Sequence, residues 1–100
     1  MINVEVKKES NLYKEIVITG HALYADYGKD IVCSAASSIV TTSINGILSL
    51  NKGSLSYEKS KSGLVIKNIK SDDTTQKLIH NMMNLLKELE ENYPKNIKVK

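Results

Sequence analysis

The feature that most constrains the fold is a pair of strand patterns followed by a long helical pattern, because this unit occurs twice in the chain. In the first pair, Ile2, Val4 and Val6 alternate with polar residues, which predicts a half-buried strand. Residues 13–19 have a β-branched centre and predict a second, more buried strand. Turn-forming residues at 9–11 lie between them, so we expect the two strands to form a hairpin.

The first helical pattern begins after Asp30, a residue type that favours the N-cap position. Apolar residues follow at helical spacing as far as Leu50, and further apolar residues widen this stripe. We therefore expect a helix that is buried on most of its sides. Gly53 is expected to end this helix in the left-handed conformation that glycine adopts readily.

The second unit repeats this arrangement. Leu55 and Tyr57 alternate with polar residues, and residues 64–66 predict the returning strand of a second hairpin. The polar residues 59–63 lie between these strands and are expected to form the turn.

A second amphipathic helix is predicted between the capping residues 71–73 and Pro94, which cannot continue a helix. Ile97 and Val99 then alternate with lysines, which predicts a short last strand at a sheet edge. The order of elements is therefore ββαββαβ. We expect an α+β fold with two layers, a mostly antiparallel sheet and two helices packed on one of its faces. A single domain over residues 1–100 is predicted from the length.

The charged residues argue against several kinds of partner. All 14 basic residues are lysine, and the formal net charge is only +3. Bidentate recognition of phosphate or guanine relies mainly on arginine, so we do not expect sequence-specific binding of nucleic acid. No apolar run approaches the ~20 residues of a membrane helix, and the N-terminus lacks the apolar segment of a signal peptide. No membrane partner is expected.

The single cysteine, Cys33, excludes an internal disulfide, and no metal-ligating residues cluster near it in the sequence. We therefore expect neither a metal nor another cofactor. A reactive thiol without a disulfide partner persists best in a reducing compartment, which predicts a cytoplasmic protein.

Cys33 is the third residue after Asp30 and thus lies in the first turn of the predicted helix. There its sulfur would be near the positive helix end and near backbone N–H groups without partners inside the helix. These groups favour a thiolate and can stabilise an oxyanion, whereas the Asp30 carboxylate opposes the thiolate. His21 follows Gly20 at the end of the second strand, and a protonated imidazole there would favour the thiolate. The two residues predict a cysteine nucleophile and its base.

Structural explanations remain open for each of these residues. Cys33 could be a small buried apolar residue, and His21 could simply hydrogen-bond its own loop. The first-turn position and the small neighbouring side chains favour the catalytic interpretation of Cys33. Ser37 lies one turn further on the same helix face, where it would orient a substrate or allow close helix packing. His80 is expected on a solvated face of the second helix, without a role.

Residues 22–29 show no clean periodicity and contain two tyrosines and a glycine, which is typical of a loop that can close over a substrate. Asp26 and Asp30 are candidates to orient the histidine, with loop solvation and helix capping as alternatives; capping is favoured for Asp30. Tyr24 and Tyr27 either line a pocket or fix the loop in place.

The chain carries Gly20-His21-Ala22 and then, after the tyrosine-containing loop, the motif DIVCSAAS at residues 30–37. This combination resembles the ribosomal-processing cysteine protease family, called Prp. The resemblance covers the whole chain, since the length, the order of elements and the placement of both motifs agree. One departure is Ser34, where members of the family often carry alanine.

The resemblance implies a bacterial peptidase that removes the N-terminal extension of the twenty-seventh protein of the large ribosomal subunit. Cleavage would follow a short hydrophobic motif with paired phenylalanines. The resemblance also implies that Cys33 is the nucleophile and that His21 is the base. Gly20 and Ser37 are candidates to orient or contact the substrate on their positions alone. The resemblance further implies a homodimer, no cofactor, and a mobile loop over residues 22–29 that shapes the substrate site.

Two other classes of function stay open on the residues alone. A non-catalytic, ribosome-associated protein-binding module would use the same fold with Cys33 as filler. A thiol redox sensor would instead use the reversible oxidation of Cys33. Peptide cleavage that depends on this cysteine distinguishes the enzyme from both.

Overall fold

The computed structural model describes residues 1–20 and 30–100 of the chain. Within these ranges the order of elements is the predicted ββαββαβ. The elements are β1 (Ile2–Glu9), β2 (Leu12–Thr19), α1 (Ile31–Leu50), β3 (Ser56–Ser60), β4 (Gly63–Lys67), α2 (Asp73–Asn92) and β5 (Ile97–Val99).

The five strands form one mixed sheet in the order β3-β4-β2-β1-β5. Three of the four pairings are antiparallel, and β5 joins β1 in parallel, at the edge that the lysine-alternating pattern predicts. The first hairpin turns at Ser10 and Asn11, which both adopt positive φ, as a tight two-residue hairpin turn requires. The predicted α+β fold class is confirmed.

The register of the antiparallel pairs brings Val4, Ile16 and Ile66 to one face of the sheet, and all three side chains are fully buried. Both helices contribute buried side chains to the same hydrophobic cluster. This is the two-layer arrangement expected when amphipathic helices cover one face of a half-buried sheet.

Helix α2 packs as its sequence pattern predicts. The Asp72 carboxylate accepts hydrogen bonds from the backbone N–H and the hydroxyl of Thr75, which caps the first turn. Its buried side chains are Thr75, Ile79, Met82, Met83 and Leu86.

His80 lies on the exposed face of α2, as expected, but it also contacts a buried residue. Its side chain is exposed, yet its Nδ1 lies 2.6 Å from the hydroxyl of the buried Tyr13. Gln76, one turn earlier, bonds the backbone N–H and carbonyl of Tyr13. These contacts tie the outer side of α2 to the start of β2.

Helix α1 is less buried than the sequence predicts. Five of its side chains enter the core, namely Val32, Ala36, Val40, Ile44 and Ile47. In contrast, Ile31 is 52% exposed and Leu50 is 68% exposed. The expectation of a helix buried on most sides is therefore wrong, because the sheet and α2 cover only one stripe of α1.

By length and composition, α1 alone among the described helices is long and apolar enough to cross a membrane. Its most apolar window has a mean hydropathy of 1.5. A search for unbroken apolar runs misses this helix, because serine and threonine interrupt the apolar residues of α1. These residues add no charge, so the mean hydropathy of the helix stays high. A core helix of a soluble protein meets the same criterion, and five α1 side chains are buried in this core.

The end of α1 also differs from the prediction. The C-cap is Asn51 in an extended conformation, and its side-chain oxygen accepts a hydrogen bond from the backbone N–H of Gly53 at 2.8 Å. Gly53 does not have positive φ, so the predicted left-handed cap is wrong. The asparagine side chain supplies the local turn instead.

Candidate active site

The first turn of α1 is held by Asp30. Its backbone is extended, and its Oδ1 accepts hydrogen bonds from the backbone N–H groups of Val32 and Cys33, each at 3.0 Å. Its carbonyl oxygen accepts from the backbone N–H of Ser34 at 3.1 Å. The predicted N-cap is confirmed, and it places Cys33 as the third residue of the helix.

These bonds correct one expectation about the helix terminus. The amides of Val32 and Cys33 are already bonded to the Asp30 carboxylate, so they are not unpaired donors beside the sulfur. The carboxylate also adds negative charge to the turn that carries the thiol, which opposes a thiolate.

Cys33 is half-buried and lines a cavity of about 240 Å³ between α1 and the sheet. Ser37 and Thr41 line the same cavity, because steps of four residues return to one helix face. The other lining residues are Ile2, Ile18, Gly20, Ala36, Val40, Lys59, Ser60, Gly63 and Leu64. Apolar residues thus form part of the wall, and Cys33, the hydroxyl-bearing residues, Lys59 and two glycines form the rest.

Gly20 brings the end of β2 to this cavity. Its φ is +85°, and a Cβ at this position would overlap the carbonyl oxygen of Met1. Only glycine satisfies both conditions without strain. The predicted strand end is therefore a place where the backbone just after β2 lies close to the backbone just before β1, beside the cavity.

The remaining predicted site residues lie outside the described residues. They are His21, Tyr24, Asp26 and Tyr27, together with the rest of the loop at 22–29. Among the predicted residues that are described, the structure brings Cys33, Ser37 and Gly20 to one cavity, with Asp30 at the base of the helix.

Sequence reasoning missed the contribution of the second hairpin. Lys59, Ser60 and Leu64 line the cavity although they lie more than twenty positions after Cys33. Thr41 was also missed, yet its spacing of eight from Cys33 could have indicated it. Lys59 is the cation that lines the cavity within the described ranges. No group of three or more metal-ligating side chains occurs among the residues of ranges 1–20 and 30–100.

Comparison with known proteins agrees with this arrangement. The sequence profile of a family described as "Cysteine protease Prp" matches residues 1–98. A ribosomal processing cysteine protease Prp from Staphylococcus aureus is 28% identical over 103 residues, which cover 99% of this chain and 97% of that protein. The chain is a cysteine-type peptidase. It belongs to the Prp family of ribosomal processing cysteine proteases.

Solved structures show the same fold. A crystal structure of Prp from S. aureus, in complex with a covalently linked product peptide, superposes with a TM-score of 0.93 at 27% identity. The match covers 100% of this chain and 98% of that one. The protein SMU.848 from Streptococcus mutans matches with a TM-score of 0.86 at 27% identity, over 100% of this chain and 92% of its own.

Proposed function

We propose that this peptidase removes the N-terminal extension of the twenty-seventh protein of the large ribosomal subunit, with Cys33 as nucleophile. The observation that carries the proposal is the position of Cys33, in a capped first helical turn that lines a cavity of about 240 Å³. The S. aureus relative, a ribosomal processing protease, has been crystallised with a substrate peptide and with a covalently linked product peptide. Those complexes support a peptide substrate for this chain.

The proposed mechanism begins with proton transfer from the Cys33 thiol to His21, which gives a thiolate and an imidazolium. The positive charge of the imidazolium would offset the negative charge that Asp30 places near this turn. The thiolate attacks the scissile carbonyl carbon, His21 then protonates the departing amine, and water hydrolyses the thioester.

Stabilisation of the oxyanion by the amides of Val32 and Cys33 would require that the Asp30 carboxylate release them. The Ser37 hydroxyl, on the same face of α1 and in the same cavity, is a second candidate donor. Asp26, Tyr24 and Tyr27 remain candidates to orient the histidine or to contact the substrate.

Cleavage after a hydrophobic or aromatic motif is part of the proposal. Ile18, Val40 and Leu64 give the cavity an apolar wall, which favours a bulky apolar side chain next to the scissile bond. The hydroxyl groups of Ser37, Thr41 and Ser60, which line the same cavity, would bind the peptide backbone.

We also infer a cytoplasmic homodimer. The reactive thiol suits a reducing compartment. The 20 residues of α1 carry no charge, and its exposed side includes Ile31 and Leu50, which supports a surface covered by a second copy.

The test is cleavage of a synthetic precursor peptide that spans the extension and the mature N-terminus, with the product ends identified by mass. Wild type and Ser49→Ala, a control at the far end of α1, should cleave at one position. Cys33→Ala should lose at least about a thousandfold in turnover. Cleavage by Cys33→Ala at the wild-type rate would assign the reaction to another residue.

A second variant tests the base. His21→Ala should lose turnover but still bind the peptide, because binding depends on the cavity and not on proton transfer. Full activity of His21→Ala would remove this residue from the mechanism. If wild type shows reversible oxidation of Cys33 without any peptide turnover, the redox-sensor alternative is the better description.

A further inference from the structure

The two edges of the sheet differ in whether their outward backbone groups are paired. On β5, the backbone N–H of Ile97 donates to the Tyr93 carbonyl at 3.2 Å, and that of Val99 donates to the Glu90 carboxylate at 3.1 Å. The end of α2 therefore satisfies the donors that β5 turns away from the sheet. No further strand can use these donors without breaking those bonds.

On the opposite edge of the sheet, no strand among the described residues pairs with the outer side of β3. Its five residues are all exposed, and a two-residue turn joins it to β4 with Ser60 opposite Gly63. In such a hairpin the closing pair is hydrogen-bonded, and the pattern alternates along the ladder. The backbone groups of Ser56, Glu58 and Ser60 thus face β4, whereas those of Tyr57 and Lys59 face outward.

Within ranges 1–20 and 30–100, no protein group bonds the outward N–H or carbonyl of Tyr57 and Lys59. Strand β3 also continues into the cavity that Cys33 lines, because Lys59 and Ser60 form part of its wall. The outer edge of β3 and the thiol are therefore parts of one continuous surface.

We propose that the outer edge of β3 binds the precursor peptide as an additional β-strand, through the backbone groups of Tyr57 and Lys59. This proposal rests on the proposed function, because its occupant is the substrate of Cys33. Main-chain hydrogen bonds would then supply affinity, and the cavity would supply specificity through alternate side chains of the peptide.

The side chains on β3 favour a short bound peptide over edge-to-edge pairing of two copies. The edge is only five residues long and carries charged residues, which natural proteins use to prevent sheet-to-sheet association. Lys67 donates to Glu58 at 2.7 Å and lowers the pKa of that carboxyl, so this charge persists at neutral pH. The edge of β3 also adjoins the cavity that Cys33 lines, so a peptide bound along this edge could reach the thiol.

The first experiment compares Tyr57→Pro with Tyr57→Ala. Proline removes the outward N–H but leaves the ladder to β4 intact, because edge strands tolerate it at such positions. Alanine removes the same ring and keeps the N–H, so the difference between the two variants measures the backbone bond. We expect Tyr57→Pro to have a KM roughly three- to tenfold above that of Tyr57→Ala, at the same kcat.

The second experiment changes the peptide and leaves β3 unaltered, so it does not depend on how a substitution in the edge strand folds. Precursor peptides that are N-methylated at one backbone position each should bind Cys33→Ala with an alternating pattern. Every second methyl group should weaken binding, because only alternate amides of a paired strand face β3.

The outcomes separate the two proposals. Strand addition is wrong if Tyr57→Pro and Tyr57→Ala have equal KM and the N-methylated peptides show no alternation in binding. If wild type still cleaves the peptide in that case, the proposed function stands. If wild type neither cleaves nor binds the peptide, both proposals fail. If Tyr57→Pro instead converts a dimer into a monomer, the edge pairs with a second copy and the docking proposal is overturned.

Discussion

The two helices have the same length and the same kind of cap, but they serve different purposes. Both span 20 residues, and both begin after an aspartate whose carboxylate accepts first-turn N–H groups. Helix α2 has charged residues on its outer side and fully buries Ile79, Met82 and Leu86. Helix α1 has no charged residue, leaves apolar side chains exposed, and presents Cys33 to a cavity. Both helices contribute buried side chains to the core, but only α1 lines the cavity that contains Cys33.

The largest effect expected from this comparison is on stability. Leu86→Ala should lower the free energy of unfolding by about 2–5 kcal/mol, because it leaves a cavity in the core. Ile31→Ala on α1 is the matched control, and it should cost less than about 1 kcal/mol because its side chain is half exposed. Urea denaturation measures both. Equal losses would mean that the outer side of α1 is covered in solution.

The next effect concerns the cap beside Cys33. Asp30→Ala should lower the free energy of unfolding by about 0.5–2 kcal/mol, whereas Asp30→Asn should keep most of it, since the amide oxygen still accepts the Val32 and Cys33 N–H groups. Asp30→Asn also removes a negative charge, so Cys33 should react faster with iodoacetamide at neutral pH. A slower reaction would show that Asp30 supports the thiolate, for example by orienting the base.

Substitutions at two glycines, Gly46 and Gly20, should change the free energy of unfolding in opposite directions. Gly46 is inside α1, and a Cβ there would have no neighbour within 4 Å, so Gly46→Ala should raise the free energy of unfolding by about 0.5–1 kcal/mol. Gly20→Ala should lower it, because of the positive φ and the overlap with Met1. Thermal unfolding gives both signs. A destabilised Gly46→Ala would indicate that a second copy packs closely on this part of α1.

The smallest expected effect is the pH dependence of the α2 cap. Hydrogen bonds from the backbone N–H and hydroxyl of Thr75 lower the pKa of the Asp72 carboxyl. A carboxyl with a lowered pKa in the folded state stabilises the fold above its ordinary value of about 3.9, and this contribution disappears as the pH falls through the folded value. Asp72→Asn, which does not titrate, should lose less stability on acidification than wild type. Parallel acid-unfolding curves would contradict this account.

Most of the fold could be predicted from local patterns. Alternation in β1, helical spacing in α2 and the two aspartate caps each depend on residues within one or two turns of each other. One prediction failed because distant parts of the chain decide the outcome: the exposure of Ile31 and Leu50 depends on how much of α1 the sheet and α2 cover. The other failure is local. At the end of α1, the side chain of Asn51 accepts a hydrogen bond from the Gly53 N–H, and this turn replaces the left-handed conformation that was expected at Gly53.

The site divides in the same way. The first-turn position of Cys33 and its cap at Asp30 follow from a few consecutive residues. The cavity does not, because Lys59, Ser60 and Leu64 reach it only through the pairing of β4 with β2. The role of Cys33 and the role of His21 stay predictions, and cleavage of the precursor peptide tests them.

The order of the elements, the two aspartate N-caps and the first-turn position of Cys33 follow from the amino-acid sequence, because short-range hydrogen bonds and hydrophobic periodicity depend on neighbouring residues. Three features follow only from the folded chain: β5 pairs with β1 in parallel, β3 is an edge strand of the described sheet, and the second hairpin forms a wall beside Cys33. Those features come from contacts between residues far apart in the chain, which are fixed by how the helices and the sheet together bury their apolar surfaces.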